Sequence, residues 1–515
     1  MSAKILFGQS YYLRFDNKLW EAMQPYPPLG TLYAASYIRQ QGYEVALFDA
    51  MLADSEQRWA EKLDEEQPDY AVIYEDNFNY LSKMCLLRMR KSAFEMIRMA
   101  RERNIPVFVC GSDATDRAEQ YLEQGADYVL KGEGEITLAR LLDHLITGEP
   151  ASPMNIKSLL FKPEGMQEMV KTEDRTNIRD LDMLPFPARD LVDMDRYKRI
   201  WQEEHGYFSV NMVTTRGCPF HCNWCAKPIW GQRYNARSPE NVVEEMVEVK
   251  QQYDPDYIWF ADDIMGLKPR WMGKFADLLE AQDMEIPFQC LNRPDLLLRD
   301  GDIESLARAG CDMVWMGAES GSQKVLDAME KGTKVEQIRE AADELHRNGI
   351  KVGFFIQFGY PGEEWEDIQK TRQLIRTAKP DDIGISVSYP LPGTKFYERV
   401  KEQLGSKQNW VDSEDMDMMF EGPFDTRFYR KLHTVVHREF IVRNALGSLW
   451  QKVKNQSLNW TRKDLKDIAR VGYHSMMFPY DRFQLSRLSR IPSDGFKELP
   501  TFLSRKEAAT PTPQA

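Results

Sequence analysis

The chain has 515 residues, of which 43% are hydrophobic and 29% charged, and its formal net charge at pH 7 is −13. This length predicts about three globular domains, and the negative charge argues against non-specific binding of nucleic acid, which needs a basic surface. No apolar run approaches the roughly 18 residues of a membrane span, and a strand pattern beginning at Lys4 leaves no room for a signal peptide. The seven cysteines, odd in number and clustered, favour the reducing cytoplasm as the location.

Residues 1–150 alternate between short β-rich runs and helical patterns. The predicted strands are Lys4–Gly8, Glu44–Asp49, Tyr70–Tyr74, Val107–Cys110 and Tyr128–Lys131. The helical patterns between them include Leu29–Gln41, Ser82–Arg103 and Glu135–Ile146. This order predicts an α/β domain with a parallel, doubly wound, Rossmann-like sheet, which would bind a ligand at the carboxyl ends of its strands.

Small and polar residues follow these strand ends and let a backbone approach a ligand closely. The candidate ligand-binding residues are Gln9, Glu75, Asn77, Gly111, Ser112, Gly132, Glu133 and Gly134. The glycines at 132 and 134 are not a dinucleotide fingerprint, because G-x-G-x-x-G would follow the first strand. A lone glycine in such a place more often just turns the chain.

Residues 151–200 have the pattern of a linker. Leu159–Phe161 and Glu168–Lys171 flank a turn and predict a small hairpin. The prolines of Asp182–Asp190 predict an extended course without a helix.

Six further strand–helix units fill residues 201–395. The predicted strands are Phe208–Thr214, Tyr257–Phe260, Pro287–Leu291, Met313–Met316, Lys351–Gln357 and Asp382–Tyr389. The helical patterns include Asn241–Gln252, Arg270–Ala281, Ser305–Ala309, Val335–Arg347 and Glu364–Ala378. Six units are too few for the usual eight-fold barrel, so we expect an open, partial (β/α)6 barrel with its chemistry at the carboxyl ends of the strands.

A cysteine loop follows the first of these strands, with Cys218, Cys222 and Cys225 in the spacing C-x3-C-x2-C. Three thiolates on one loop can hold three corners of an iron–sulfur cluster. With no fourth cysteine nearby, one iron would keep an open position, which is typical of a catalytic metal site. A zinc site is the alternative at this point, with His221 as a fourth ligand in awkward geometry.

The other strand ends of this barrel also carry polar residues. They include Asp262, Asp263, Arg293, Glu319 and Gln357. Each could be a helix cap or a solvated side chain, but together they surround the cysteine loop at the predicted mouth.

The N-terminal region resembles the cobalamin-binding domain that is fused to many radical S-adenosylmethionine (SAM) enzymes. The similar stretches are Pro27–Gly30, Tyr43–Val45 with Asp49, and Gly125–Glu135. By this resemblance the eight candidate residues above would contact cobalamin. The motif D-x-H-x-x-G is absent and no histidine precedes His144, so a bound cobalt would lack the usual histidine lower ligand.

The cysteine loop resembles that of the radical SAM enzymes, including an aromatic residue, Trp224, before the third cysteine. The resemblance implies that the three cysteines bind a 4Fe–4S cluster whose free iron is chelated by SAM. Cleavage of SAM then gives methionine and a 5′-deoxyadenosyl radical, which removes a hydrogen atom from the substrate. The same resemblance makes the aromatic residue and the five polar strand-end residues candidate SAM contacts.

Residues 396–503 predict a mostly helical extension, and 504–515 a disordered tail. The extension contains a long helical pattern, Asp425–Trp450, and is rich enough in aromatic residues and methionine to cover an apolar substrate. His433 and His437 have the spacing of a helical metal pair, but without a third ligand packing or substrate contact is favoured. The remaining cysteines at 85, 110, 290 and 311 are predicted to be buried core residues.

The resemblance places the chain near the hopanoid methylases and the anaerobic magnesium-protoporphyrin IX monomethyl ester cyclase. The favoured function is cobalamin-dependent C-methylation of an unactivated carbon in a small-molecule or lipid-like substrate, with flavodoxin or ferredoxin as reductant. The alternatives are radical cyclisation or oxidation without methyl transfer, and a corrinoid carrier or sensor without catalysis. The sequence does not identify the substrate.

Overall fold

The computed structural model describes residues 3–76, 78, 87–166, 168–227, 229–404, 409, 416–454 and 462–491. These residues form two largely parallel β-sheets with helices packed against them, followed by a helical hairpin. The α/β architecture with a helical extension agrees with the sequence-based prediction.

The first sheet contains the five predicted parallel strands in the order β2-β1-β3-β4-β5. Their bounds are β1 Lys4–Gly8, β2 Glu44–Phe48, β3 Tyr70–Tyr74, β4 Val107–Cys110 and β5 Tyr128–Leu130. The chain passes from β1 to β2 on one side and then returns to place β3 on the other side of β1. In doubly wound folds a ligand binds at such a switch point in the strand order. The carboxyl ends of β1 and β3 are therefore the expected ligand edge.

Helices cover both faces of this sheet and bury two apolar clusters against it. Their bounds are α1 Asn17–Ala22, α2 Leu29–Gln40, α3 Gln57–Glu66, α4 Leu87–Arg101, α5 Ser112–Asp116, α6 Ala118–Glu123 and α7 Glu135–Thr147. The predicted helical pattern 82–103 begins outside the described residues, which resume at Leu87 within α4.

The predicted hairpin forms and belongs to the first sheet rather than to a free linker. Strand β6 (Leu159–Phe161) pairs antiparallel with β5, and β7 (Val170–Lys171) pairs antiparallel with β6. The proline-rich segment contains short 3-10 turns at Leu181–Met183 and Arg189–Leu191. A helix that was not predicted, α8 (Met194–His205), follows this segment. The side chain of Asp193 caps its first turn.

The second sheet has six parallel strands in sequential order, as expected for an open partial barrel. The strands are β8 Ser209–Met212, β11 Tyr257–Phe260, β12 Phe288–Asn292, β13 Cys311–Glu319, β14 Lys351–Phe358 and β15 Asp382–Val387. Two short strands, β9 (Thr215–Arg216) and β10 (Asn235–Ala236), form an antiparallel ribbon after β8.

An outer layer of helices buries the largest apolar cluster against this sheet. The helices are α9 Pro239–Tyr253, α10 Trp271–Ala281, α11 Pro294–Leu297, α12 Asp302–Arg308, α13 Gln323–Ala328, α14 Val335–Arg347, α15 Trp365–Ala378 and α16 Lys395–Val400.

The C-terminal extension is a hairpin of two long helices, α17 (Thr426–Lys454) and α18 (Arg462–Leu488). The amino-terminal half of α17 joins the barrel core through residues such as Phe428, Tyr429 and Leu432. Among the described residues, none of the helices combines the length and apolar character needed to cross a membrane.

Candidate active site

Asp262, which follows β11, ends the first barrel strand and so sets where the cysteine loop begins. One carboxylate oxygen of Asp262 accepts hydrogen bonds from the backbone N–H groups of Thr214 and Thr215 at 2.7 and 2.9 Å. The other oxygen accepts the Thr214 hydroxyl at 2.5 Å. These bonds end β8 at Met212, short of the predicted Thr214, and turn the chain into the ribbon of β9 and β10. Gly217 follows with φ +81°, where a side chain would collide with the carbonyl of Arg233.

Asn223 anchors the centre of the loop to three other elements. Its backbone N–H donates to the Met329 carbonyl at 3.0 Å, and its side-chain amide donates to the Ala328 carbonyl at 2.8 Å. Its Oδ1 accepts the hydroxyl of buried Tyr360 at 2.8 Å, and its carbonyl accepts the N–H of Phe396. Because Asn223 lies directly after Cys222, these bonds fix the backbone between the second and third cysteines.

The three cysteines lie at the carboxyl mouth of the barrel, and none forms a disulfide. Cys222 is buried, whereas Cys218 and Cys225 are partly exposed. Desolvation raises the pKa of Cys225 to about 12 and also raises the pKa of Cys218. Three thiols with no disulfide partner in eight residues are a donor set that suits a 4Fe–4S cluster.

No three His, Cys, Asp or Glu side chains in the described part of the chain converge on a point that one metal ion could occupy. A 4Fe–4S cluster does not need such convergence, because each of its three thiolates binds a different iron atom. The loop geometry is therefore compatible with the cluster.

Arg293 lies against the cysteine loop rather than in open space. Its guanidinium stacks 3.7 Å from the centroid of the Phe220 ring, and one of its nitrogens is 3.8 Å from the Cys222 sulfur. It also pairs with Asp295 at 3.0 Å and donates to the Lys331 carbonyl at 2.8 Å. The structure thus gives Arg293 a place beside the cluster loop, with part of its hydrogen-bonding capacity already used.

A buried ion pair joins Glu319, at the end of β13, to Lys331. The Lys331 nitrogen is 2.9 Å from a Glu319 oxygen, and both side chains are 7% exposed. Glu319 has φ +57°, which is uncommon for a residue other than glycine and is typical of strained functional positions. A side chain on Gly317 would collide with both partners. Sequence reasoning missed Lys331, because nothing local marks a lysine twelve residues away as the partner.

Several polar atoms at the mouth are buried without a hydrogen-bond partner among the described residues. They include Gln357 Oε1 at the end of β14 and the indole nitrogen of Trp224. The charge of Asp263 contributes to the raised pKa of both Cys218 and Cys225, and burial raises the pKa of Asp263 itself to about 6. Unsatisfied buried polar groups are costly, so these atoms suit the polar groups of a bound SAM. Asp262, by contrast, is already used in holding the loop.

Glu363, in the turn after β14, is a buried carboxyl that the sequence did not single out as a SAM contact. One of its carboxyl oxygens accepts the N–H of Gly359 at 2.7 Å, and the other has no partner in the described structure. The hydroxyl of Tyr429 on α17 is likewise buried without a described partner, and the Glu363 charge raises its already elevated pKa further. Burial raises the pKa of Glu363 to about 8.

We expect replacement of Glu363 by glutamine to remove part of the pH dependence of stability. A carboxyl whose folded pKa lies above its ordinary 4.5 favours folding at low pH, and that contribution is lost as pH rises towards about 8. The unfolding free energy of Glu363→Gln relative to the native chain should therefore rise between about pH 5 and about pH 8. The slope should be up to about 1.4 kcal/mol per pH unit, measured by urea unfolding.

Glu366→Gln is the matched control, because Glu366 is an exposed residue three positions away. Parallel pH profiles for the two variants would contradict the assignment of a neutral Glu363.

At the ligand edge of the first sheet, Gln9 and Glu75 use their side chains to hold the loop after β1. Gln9 bonds the backbone of Tyr11 with both its amide oxygen and its amide nitrogen. Glu75 accepts the N–H of Ser10 at 3.1 Å and its hydroxyl at 2.5 Å. A side chain on Gly111 would collide with Glu75, so this glycine makes room for the carboxylate.

The remaining predicted residues of this edge have separate environments. Ser112 is buried at the start of α5, and Asn77 lies outside the described residues. Gly134 packs tightly against Cys110 and Tyr74, and Gly132 lies close to the Ile229 carbonyl after the cysteine loop.

Arg216 joins the two sheets directly. Its guanidinium nitrogens are 3.0 Å from a Glu133 oxygen and 2.7 Å from a Glu135 oxygen, and all three side chains are 4% exposed. Burial opposes the charge of Arg216, but the two carboxylates hold its pKa above the usual value. Arg216 lies two residues before Cys218, so the loop after β5 is tied to the start of the cysteine loop. The predicted cobalamin contact Glu133 therefore also has an interdomain role.

A cavity between the two sheets is lined by residues of both, including Asp76 and Phe78 from the first and Asn211, Trp259 and Ala261 from the second. Asn211 Oδ1 is buried there without a partner in the described structure. The indole nitrogen of Trp230, whose ring lies 5.0 Å from that of Phe78, also lacks a described partner. The rim of a corrin carries amide side chains that can donate and accept hydrogen bonds, so these groups fit cobalamin.

His433 and His437 lie side by side on α17, with ring centroids 4.2 Å apart. Burial lowers the pKa of His433 to about 4 and also lowers the pKa of His437, so both rings are neutral at pH 7. The described structure provides no third metal ligand at this pair. Cys110, Cys290 and Cys311 are buried core residues, as predicted, and Cys85 lies outside the described residues.

Two family models match the chain. The model of the B12 binding domain matches residues 21–142, and the model of the radical SAM superfamily matches residues 212–375. Together the matches span more than half of the chain. The chain belongs to the cobalamin-binding radical SAM enzymes.

Characterised and uncharacterised relatives of this radical SAM enzyme share about a quarter of its residues. An uncharacterised methyltransferase of Pyrococcus horikoshii is 28% identical over 75% of this chain and 81% of its own length. The anaerobic magnesium-protoporphyrin IX monomethyl ester cyclase of Rubrivivax gelatinosus is 26% identical over 76% and 68%. The hopanoid C-3 methylase of Methylococcus capsulatus is 24% identical over 74% and 70%. The predicted resemblance of this radical SAM enzyme to the hopanoid methylases and to the anaerobic cyclase is confirmed.

Two solved structures share the fold of this radical SAM enzyme. The cobalamin-dependent SAM radical enzyme OxsB, with aqua-cobalamin bound, has a TM-score of 0.68 and 17% identity over 94% of this chain and 72% of its own. The radical SAM methyltransferase TsrM of Kitasatospora setae, with cobalamin and a 4Fe–4S cluster bound, has a TM-score of 0.65 and 19% identity over 80% of each chain. The cofactors of this radical SAM enzyme are a 4Fe–4S cluster, SAM and cobalamin, as predicted.

Proposed function

We propose that this radical SAM enzyme transfers a methyl group from SAM, by way of cobalamin, to an unactivated carbon of a small-molecule substrate. The observation that carries the proposal is the buried contact of Arg216 with Glu133 and Glu135, which ties the loop after β5 to the cysteine loop. A methyl group carried at the ligand edge of the first sheet can then reach a substrate carbon activated at the cysteine loop. Two of the three relatives above are named as a methyltransferase or a methylase, which supports the proposal.

Different residues bind the cluster and hold the loop that carries it. Cys218, Cys222 and Cys225 bind the cluster, Asn223 fixes the loop, and Arg293 lies over Phe220 beside it. When bound, the cluster supplies the electron that cleaves SAM, and cobalamin carries the methyl group.

The other polar residues of the barrel mouth orient SAM. We propose that Asp263, Gln357 and Trp224 contact it, because Asp263 is a carboxylate at the end of β11 whose pKa is raised by burial and the other two have buried polar atoms that lack a described partner. The pair of Glu319 and Lys331 supports the wall beside them.

The amino-terminal half of α17 closes the site over the substrate. Tyr429 lies next to Gly359 at the mouth, and Met418 packs against the same glycine. This apolar cover favours a lipid-like substrate or another substrate with an apolar body. We further propose a cytoplasmic location, because the described cysteines are free thiols that a reducing compartment preserves. Flavodoxin or ferredoxin is the proposed electron donor, because the cluster needs a reductant to cleave SAM.

Anaerobic incubation of the reconstituted protein with SAM, reductant, cobalamin and candidate substrates tests the proposal. We expect 5′-deoxyadenosine and S-adenosylhomocysteine to form together, with the second product dependent on added cobalamin. Formation of 5′-deoxyadenosine alone would favour the cyclase-like alternative, which the Rubrivivax relative represents. If protein with a full cluster forms neither product, the enzyme assignment is contradicted.

A further inference from the structure

Helix α18 has two apolar faces, of which only one is covered. Its inner face packs against α17 and the barrel through residues such as Phe478, Leu485 and Leu488. The opposite face exposes six large apolar side chains at helical spacing. They are Leu465, Ile468, Tyr473, Met476, Tyr480 and Phe483. On a helical wheel of 100° per residue they fall in one arc of about 140°.

The side chains of this stripe are largely open to solvent, with Met476 71% and Phe483 65% exposed. The end of α17 adds Leu446, Trp450 and Val453, which share one face of that helix and of which Trp450 is 69% exposed. Since α17 ends at Lys454 and α18 begins at Arg462, Trp450 and Val453 lie near the tip of the hairpin, close to its second helix. Large apolar side chains exposed together on one helix face mark an interaction site.

The charges around the stripe have one sign. The exposed charged residues within 465–491 are all basic, namely Lys466, Arg470, Arg482, Arg487 and Arg490. The two acidic residues of the same segment, Asp467 and Asp481, are buried. Asp481 is neutralised by Lys431 at 2.9 Å and Arg438 at 2.6 Å, on the inner side of the hairpin. This basic surface stands out on a chain whose net charge is −13.

We propose that the hairpin of α17 and α18 docks on an anionic lipid bilayer. Aromatic and aliphatic residues on one face, with lysine and arginine beside them, are the pattern of a helix that lies in the membrane interface. Tyrosine and tryptophan prefer the headgroup level, and each arginine adds attraction to anionic lipid. A second copy of this chain would bring the same basic residues together, so charge complementarity favours lipid over self-association.

Vesicle flotation of the full chain tests this proposal, with phosphatidylcholine vesicles compared with vesicles of equal parts phosphatidylcholine and phosphatidylglycerol. We expect binding only to the anionic vesicles, weakening as salt is raised. Arg470→Gln and Arg487→Gln should each lower partitioning roughly fivefold. Met476→Asp combined with Phe483→Asp should lower it at least about tenfold.

Met166→Asp is the matched control, because Met166 is 63% exposed on the turn between β6 and β7, outside the helical hairpin. It should bind like the native chain, and helicity and iron content should be equal in all variants. Absence of vesicle binding by the native chain would overturn the proposal. Concentration-dependent self-association that Met476→Asp abolishes, without vesicle binding, would assign the surface to a second copy instead.

Discussion

Replacing Cys222 with alanine is expected to abolish reductive cleavage of SAM. Cys222 is the buried member of the trio, and Asn223, Arg293 and Phe220 hold the loop around it. Changes to outer-shell partners of a metal already cost about 10–100-fold in affinity or activity, so loss of a direct ligand should cost more. The measurement is iron and sulfide content after anaerobic reconstitution, together with 5′-deoxyadenosine formation from SAM.

Cys311→Ala provides the control, because Cys311 is buried at the start of β13, at the opposite end of the barrel from the mouth. That variant should retain iron and activity while losing some stability, as expected for a truncated core residue. An unchanged iron content in Cys222→Ala would contradict the ligand assignment. Loss of iron in both variants would show that the cluster depends on core packing rather than on this thiol.

The strands were predictable because each is a short, locally coded run of β-branched and aromatic residues. β1, β3, β4 and β11 begin and end at the predicted residues, and the sequential order of the barrel follows from the regular alternation of strand and helix. The end of β8 was not predictable, since it depends on a carboxylate 48 residues away that takes its backbone N–H groups. Helix α8 was missed because the prolines before it dominate the local pattern.

The cysteine loop was predictable because its ligands are close in sequence. The residues that hold it were not, because Asn223 and Arg216 act through partners 81 to 137 residues away and Lys331 pairs with Glu319 across helix α13. Local spacing carries no signal for such pairs. Gly317 offered one indirect clue, since a glycine inside a strand pattern often marks a close approach, here by the Glu319–Lys331 pair.

Replacing Arg216 with leucine is expected to destabilise the protein by about 3–5 kcal/mol, the usual cost of breaking a buried ion pair by removing one partner. The loss leaves Glu133 and Glu135 buried without their common cation. Urea unfolding measures this effect. Arg39→Leu is the control, because the Arg39–Asp190 pair has side chains 43% and 59% exposed, and exposed pairs contribute about 0–1 kcal/mol.

A triple variant, Arg216→Leu with Glu133→Gln and Glu135→Gln, separates stability from function. The triple variant should recover part of the lost stability, because the uncompensated buried carboxylates that make the single change costly are no longer present. We expect the triple variant to cleave SAM but to form less S-adenosylhomocysteine per 5′-deoxyadenosine than the native chain, because the two loops are no longer tied. An unchanged product ratio in a stable triple variant would show that the ion pairs only stabilise the interface, and that the alignment of the two loops comes from the packing of Tyr33, Phe78 and Trp230 around Arg216.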